Sequence, residues 1–155
     1  MRRLSSYPRG FHPALLLTLL LLLLSGLLLL PGMLQMRLDL SLDPGWRASG
    51  AARLFIAALH ALAGFVTIGL VGALAIVHMR MGWRRRLNHV SGIALLSLVV
   101  LMLLSTVGIY YAGDEAWSMG SSLVHIVAAI LATALFAWHF VKGRKLHRMK
   151  EHRAH

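Results

Sequence analysis

The chain has 155 residues, of which 58% are hydrophobic, and its mean hydropathy is +0.72. A soluble domain of this size is about half apolar, and here the apolar residues are gathered into long runs, which excludes an ordinary soluble globule. The net charge is +11 and cysteine is absent, so disulfides, iron–sulfur ligation and thioether attachment of a cofactor are excluded as well.

Residues 1–10 are a basic N-terminus with Arg2, Arg3 and Arg9. The first apolar span covers about 11–30, opening Phe11-His12-Pro13 and continuing as a leucine run broken by Thr18, Ser25 and Gly26. Basic residues before an apolar run also describe a signal peptide. This run exceeds an ordinary signal core, and Leu29-Leu30-Pro31-Gly32 offers no small-x-small cleavage site, so an uncleaved span is expected. Pro31-Gly32 is expected to end the helix. In the connection over 33–51, Asp43-Pro44-Gly45-Trp46 reads as a turn with an interfacial aromatic, and Arg47 and Arg53 fall at the membrane edge.

The second span runs from about 52 to 79 and holds His60, a stripe of Gly64, Gly69 and Gly72, and His78 at its inner end. A helix of that length must tilt or project from the bilayer. The short Arg84-Arg85-Arg86 loop makes the second and third spans antiparallel neighbours. The third span, 88–111, begins Asn88-His89-Val90-Ser91-Gly92 and ends Gly108-Ile109-Tyr110-Tyr111. Asp114-Glu115-Ala116-Trp117 reads as a brief external turn before the fourth span, 118–141. The basic tail, 142–155, carries His147, His152 and His155 and is expected to be frayed and solvated.

The fold class expected is therefore all-α: an integral membrane four-helix bundle over 11–141 with small flanking segments. The basic stretches at 1–10, 80–88 and 142–155 alternate with 32–53 at +1 and 112–120 at −2. That alternation is what the positive-inside rule demands of a chain with both termini in the cytoplasm. The basic face then meets anionic lipid rather than nucleic acid.

The histidines carry the functional signal. His125 and His139 lie in one span, fourteen residues apart. At about 100° and 1.5 Å per residue they share a face, with roughly 21 Å between them along the axis. An imidazole left unpaired in hydrocarbon costs about 2–7 kcal/mol per polar atom, so two in one stripe point to function. Measured from the span centres, His60 lies roughly 9 Å and His125 roughly 6 Å outward of the midplane. His12 and His139 lie roughly 14–15 Å inward, with His78 and His89 at about 16–18 Å. The outer level thus has one pair, and the inner level has four candidates.

Paired imidazoles on facing helices are the ligand set of a bis-histidine haem. Its propionates would meet Arg9, Arg80 and Arg84 inside, and Arg47 and Arg53 outside. The second-span glycines would admit a flat macrocycle or serve plain helix packing. Zinc or copper without a porphyrin is the weaker expectation, since no carboxylate or thiol joins the set.

With Arg9-x-x-His12 opening the first span, His60 in the second and His125-x13-His139 in the fourth, residues 9–141 resemble the bacterial di-haem cytochrome b membrane subunits, such as those of formate dehydrogenase and nickel–iron hydrogenase. The resemblance implies two non-covalent b-type haems, the outer on His60 and His125 and the inner on His12 and His139. It also implies electron transfer between a periplasmic redox subunit or cytochrome and membrane quinone, inside a hetero-oligomeric complex of the bacterial inner membrane. Pro13 departs from the aromatic usual there and places His12 at the helix N-terminus. His78, five turns from His60 on the same face, is the alternative inner ligand. Asn88 and His89 are placed to contact a quinone carbonyl. Nothing on the chain reads as a nucleophile, general base or substrate pocket, so an electron-transfer subunit is expected rather than a stand-alone enzyme. The runner-up is a haem-free anchor or assembly subunit.

Overall fold

The computed structural model describes residues 10–40, 45, 47–74 and 89–152, with side chains over 10–40, 45, 47–74 and 90–143. Four helices account for nearly all of them: α1 Phe11–Leu38, α2 Gly50–Leu74, α3 His89–Tyr111 and α4 Glu115–His152. Each carries a stretch long and apolar enough to cross a membrane, and no strand occurs among the described residues. The chain is all-α and multi-pass, with lipid as its solvent.

Burial follows from that solvent. Among the described residues the buried side chains are Leu15, Ala63, Ala128 and Pro31, beside the hydroxyls of Thr18, Ser25, Thr67, Ser91, Ser105, Ser118 and Ser122. Large apolar groups such as Leu54, Phe55, Phe65, Leu104 and Trp117 lie exposed. Lipid tails are as apolar as leucine, so helices associate through small residues and interhelical hydrogen bonds rather than by hiding leucines.

The chain divides into two compact units, Met1–His78 and Met79–His155. Each holds one helical hairpin. In the first, Leu22 of α1 lies beside Gly64 of α2, Ser25 beside His60, and Gly32 beside Arg53. Rising numbers on α1 meet falling numbers on α2, so the pair is antiparallel. α1 does not stop at Pro31-Gly32, as its sequence suggests, but continues to Leu38 with a buried Pro31 inside it. Proline forfeits one backbone bond there, and the run Met33-Leu34-Gln35-Met36-Arg37-Leu38 is made of good helix formers that carry the helix on. Asp39, in the left-handed region at φ 52°, ends it, with the Leu40 N–H on the Leu34 carbonyl at 3.4 Å. Aspartate tolerates that region better than most residues.

In the second unit α3 and α4 are also antiparallel. Ile109 meets Ser118, Gly108 meets Ser121, Ser105 meets His125 and Ser91 meets His139. Asp114-Glu115-Ala116-Trp117 is not a free turn. Asp114 caps α4 by accepting the Trp117 N–H on Oδ1 at 3.0 Å, and Glu115 opens the first turn, where its charge suits the helix dipole. At the other end the backbone stays helical to His152, against the frayed tail expected. Lysine, arginine, leucine and methionine are good helix formers, and their cations suit a helix C-terminus. Lys142 Nζ sits 5.2 Å from the Trp138 ring centroid, at the boundary of apolar span and basic tail.

Candidate functional site

In the first unit His60 projects from α2 in line with Arg53, Ala63 and Thr67, the stripe that faces α1. Its Nδ1 lies 2.8 Å from Ser25 Oγ. Ser25 also donates its hydroxyl proton to the backbone, to the Leu21 carbonyl with Leu22 at 3.3 Å. A hydroxyl has one proton. With that proton used, Ser25 accepts from an Nδ1–H, and the lone pair of the neutral His60 ring falls on Nε2. Gly26 completes the seat, since a Cβ there would stand 3.3 Å from His60 Cε1. Arg53 lies two turns outward on the His60 stripe, about 10 Å along the axis, and is half-buried.

His12 is in the first turn of α1, exposed, with its ring edge-on to Phe11 at 6.0 Å between centroids. It sits about 100° round the helix from the stripe of Leu15, Thr18 and Ser25 that faces α2. Thirteen residues separate it from Ser25, so its level is about 20 Å inward of the His60 level.

The second unit carries two further seats. His125 Nδ1 lies 3.0 Å from Ser105 Oγ, 3.5 Å from Thr106 Oγ1 and 3.2 Å from the Met102 carbonyl. A carbonyl can only accept, and the Ser105 and Thr106 hydroxyls both donate to that same Met102 oxygen, at 2.9 and 2.8 Å. The proton of the neutral His125 ring is therefore on Nδ1 and its lone pair on Nε2. In the first turn of α3, Ser91 Oγ lies 2.8 Å from His139 Nδ1. His125 and His139 thus share the face of α4 turned to α3, as their spacing predicts.

The outer end of this hairpin is drawn tight beside His125. A Cβ on Gly108 would come within 2.9 Å of Ser121 Cβ and closer still to its Oγ, and Ser121 is one turn from His125. The Ser118 hydroxyl donates to the Ile109 carbonyl at 3.1 Å and that of Ser122 to the Ser118 carbonyl at 2.9 Å. By contrast, a Cβ on Gly69 or Gly72 of α2 would meet nothing within 4 Å, and on Gly64 only Leu22 at 4.0 Å. Within the first unit's hairpin Gly69 and Gly72 take no part in close packing against the described residues.

Arg9, His78, Arg80, Arg84 and Asn88 lie outside the described residues, as does the side chain of His89. Arg47 is exposed just before α2. Sequence reasoning missed the partners of the histidines: Ser25, Ser91 and Ser105. A signal for two of them was present, because Ser91 and Ser105 are fourteen residues apart, the same interval as His125 and His139.

Among the described residues no group of three or more His, Asp or Glu side chains gathers to hold a bare metal ion. The donors on offer are single imidazoles, and His60, His125 and His139 have Nδ1 engaged by the protein. That is the usual state of a metal-ligating histidine, whose second nitrogen is oriented by a hydrogen bond, and it fits an axial haem ligand. Comparison with protein-family models, with curated proteins and with solved structures finds no match.

Proposed function

We propose that this chain is a di-haem b-type membrane cytochrome that passes electrons across the bilayer between a periplasmic redox partner and the quinone pool. One observation carries the reading. His125 and His139 stand fourteen residues apart on one face of α4, and each has its Nδ1 held by a hydroxyl of α3, Ser105 and Ser91. The hydrogen bonds orient both rings at levels about 21 Å apart, as two stacked cofactors in a membrane would need. The first unit supplies one more imidazole held in this way, His60 on Ser25, and an exposed one, His12, about 20 Å along the axis from that level.

In this reading His60 and His125 ligate the outer haem, and His139 with His12 the inner one, His78 being the alternative to His12. The bound haem supplies the one-electron chemistry, and the chain supplies everything that directs it. Imidazole nitrogens hold the iron, and the hydroxyls fix each ring plane and tautomer. Arg47 and Arg53 at the outer edge, and Arg9, Arg80 and Arg84 at the inner, are the cations suited to propionates. The lipid-facing leucines keep water from the electron path. Asn88 and His89 are the groups proposed to contact quinone. Both termini would lie in the cytoplasm, by the alternation of basic segments, and the membrane would be the bacterial inner membrane. The described connections are too short to form an oxidoreductase head, so a larger complex with a periplasmic subunit is proposed as the setting.

A second reading has its own support. The hydroxyl partners already satisfy an Nδ1 on each of three imidazoles, which is what packing histidines of a haem-free anchor would also require. An optical spectrum of the purified, dithionite-reduced protein separates the two. Sharp α and β bands with two haems per chain are expected, and a spectrum without them would leave the anchor.

A further inference from the structure

The serines opposite the histidines were not part of the ligand pattern, yet they are the most regular feature of both hairpins. Ser25, Ser91 and Ser105 are each buried, each on the first helix of its hairpin, and each within 2.8–3.0 Å of an Nδ1 on the second. Thr106 of α3 adds a longer hydroxyl contact to the same His125 Nδ1, at 3.5 Å. Serine in a leucine-rich span has no need of an imidazole, because its hydroxyl is satisfied by the carbonyl one turn back, as Ser25 and Ser105 show. The imidazole needs the serine. Without it the ring is free to turn about its side-chain torsions, and its proton is free to move to Nε2.

We infer that Ser25 and Ser105 are positioning residues, which hold the proton of His60 and His125 on Nδ1 and so present Nε2 as the iron-binding atom, and that Ser91 fixes the ring plane of His139. The inference rests on the di-haem reading and adds a sorting rule to it. Under that reading Ser105 and Ser91, which lie on one hairpin, serve different haems. The chemistry sets the direction of the effect. A hydroxyl that accepts from Nδ1–H lends the ring imidazolate character, which makes it a stronger donor and favours the ferric state. Removing the acceptor weakens that donation, so the potential of the haem concerned rises.

The test uses the full chain in lipid nanodiscs as wild type, Ser25→Ala, Ser91→Ala, Ser105→Ala and the three matching threonine variants. Haem per chain, midpoint potentials and the low-spin electron paramagnetic resonance signals are measured on each. Ser105→Ala is expected to raise the potential and shift the resonance of one haem, leaving the other unchanged, and Ser25→Ala to do so for the haem that His60 would hold. Ser91→Ala is expected to shift the resonance and weaken the retention of the haem that His139 would hold, and to leave that of His125 unchanged. Loss of an outer-shell partner typically weakens metal binding by about 10–100-fold, so partial loss of the affected haem on dilution into apo-myoglobin is also expected. Threonine, which keeps the hydroxyl, should restore wild-type values. If the wild type holds haem but the alanine variants match it in potential, resonance and retention, the positioning role fails and the di-haem reading stands. If alanine empties a site and threonine does not refill it, the effect is one of packing and the inference fails. A wild type without haem overturns both.

Discussion

Nδ1 of His139 stands 2.8 Å from the hydroxyl of Ser91, and fourteen residues along both helices the same contact recurs between His125 and Ser105 at 3.0 Å. Two antiparallel helices keep such a repeat in register only if their interval is the same, and here it is. The hairpin thus offers two oriented imidazoles from a single helix face.

The first prediction concerns ligand assignment. His60→Ala and His125→Ala should each remove the same haem, and His139→Ala the other, by pyridine haemochrome counting on purified protein. Comparing His12→Ala with His78→Ala identifies the remaining inner ligand, since only one of the two should cost a haem. Loss of different haems from the His60 and His125 variants would disprove their pairing.

A second prediction follows from the tight point at Gly108. A Cβ there would come within 2.9 Å of Ser121 Cβ, so Gly108→Ala must push α3 from α4. Overpacking of this kind costs about 1–3 kcal/mol, read as a lower midpoint of thermal unfolding in detergent. Gly69→Ala and Gly72→Ala, which meet nothing within 4 Å, should be neutral or stabilising by up to about 1 kcal/mol, the helix preference of alanine over glycine.

Gly26 gives a more local outcome. Its added Cβ would press on His60 Cε1 at 3.3 Å, a shift of a few tenths of an ångström that the ring must absorb. Gly26→Ala should alter the spectrum of the haem proposed for His60 and leave that proposed for His139 as in wild type. Equal changes at both sites would point to a general loosening instead.

The cap of α4 can be tested without any cofactor. Asp114→Ala removes the acceptor of the Trp117 N–H, held at 3.0 Å, and N-cap losses of this type cost about 1 kcal/mol. Faster hydrogen exchange of the Trp117 amide, with the middle of α4 unaffected, is the expected result. Asp114→Asn should restore most of the protection.

Topology supplies the last prediction. Fusions of a cytoplasmic reporter to either terminus should be active, and fusions near residue 113 inactive, because the alternation of basic segments predicts both ends inside. An active fusion at residue 113 would reverse the inner and outer levels assigned to the histidines.

Much of this was legible in the order of residues alone. Four apolar runs of membrane length need only composition and rise per residue, and so did the shared face of His125 and His139, because helical periodicity is local. The ends were less legible. Pro31 looked like a stop, yet the helix formers behind it outweigh one missing hydrogen bond. Asp114 looked like a turn residue, yet its carboxylate is bonded into α4.

What the tertiary structure decided is the partner of each imidazole. Ser25 and His60 are thirty-five residues apart, and Ser91 and His139 forty-eight. Which hydroxyl meets which ring depends on the register of one helix against another, and register is set by contacts such as Gly108 on Ser121 and Leu22 on Gly64. The proton on Nδ1 of His125 was likewise out of reach of the sequence, for it is fixed by a Met102 carbonyl that only packing brings within 3.2 Å.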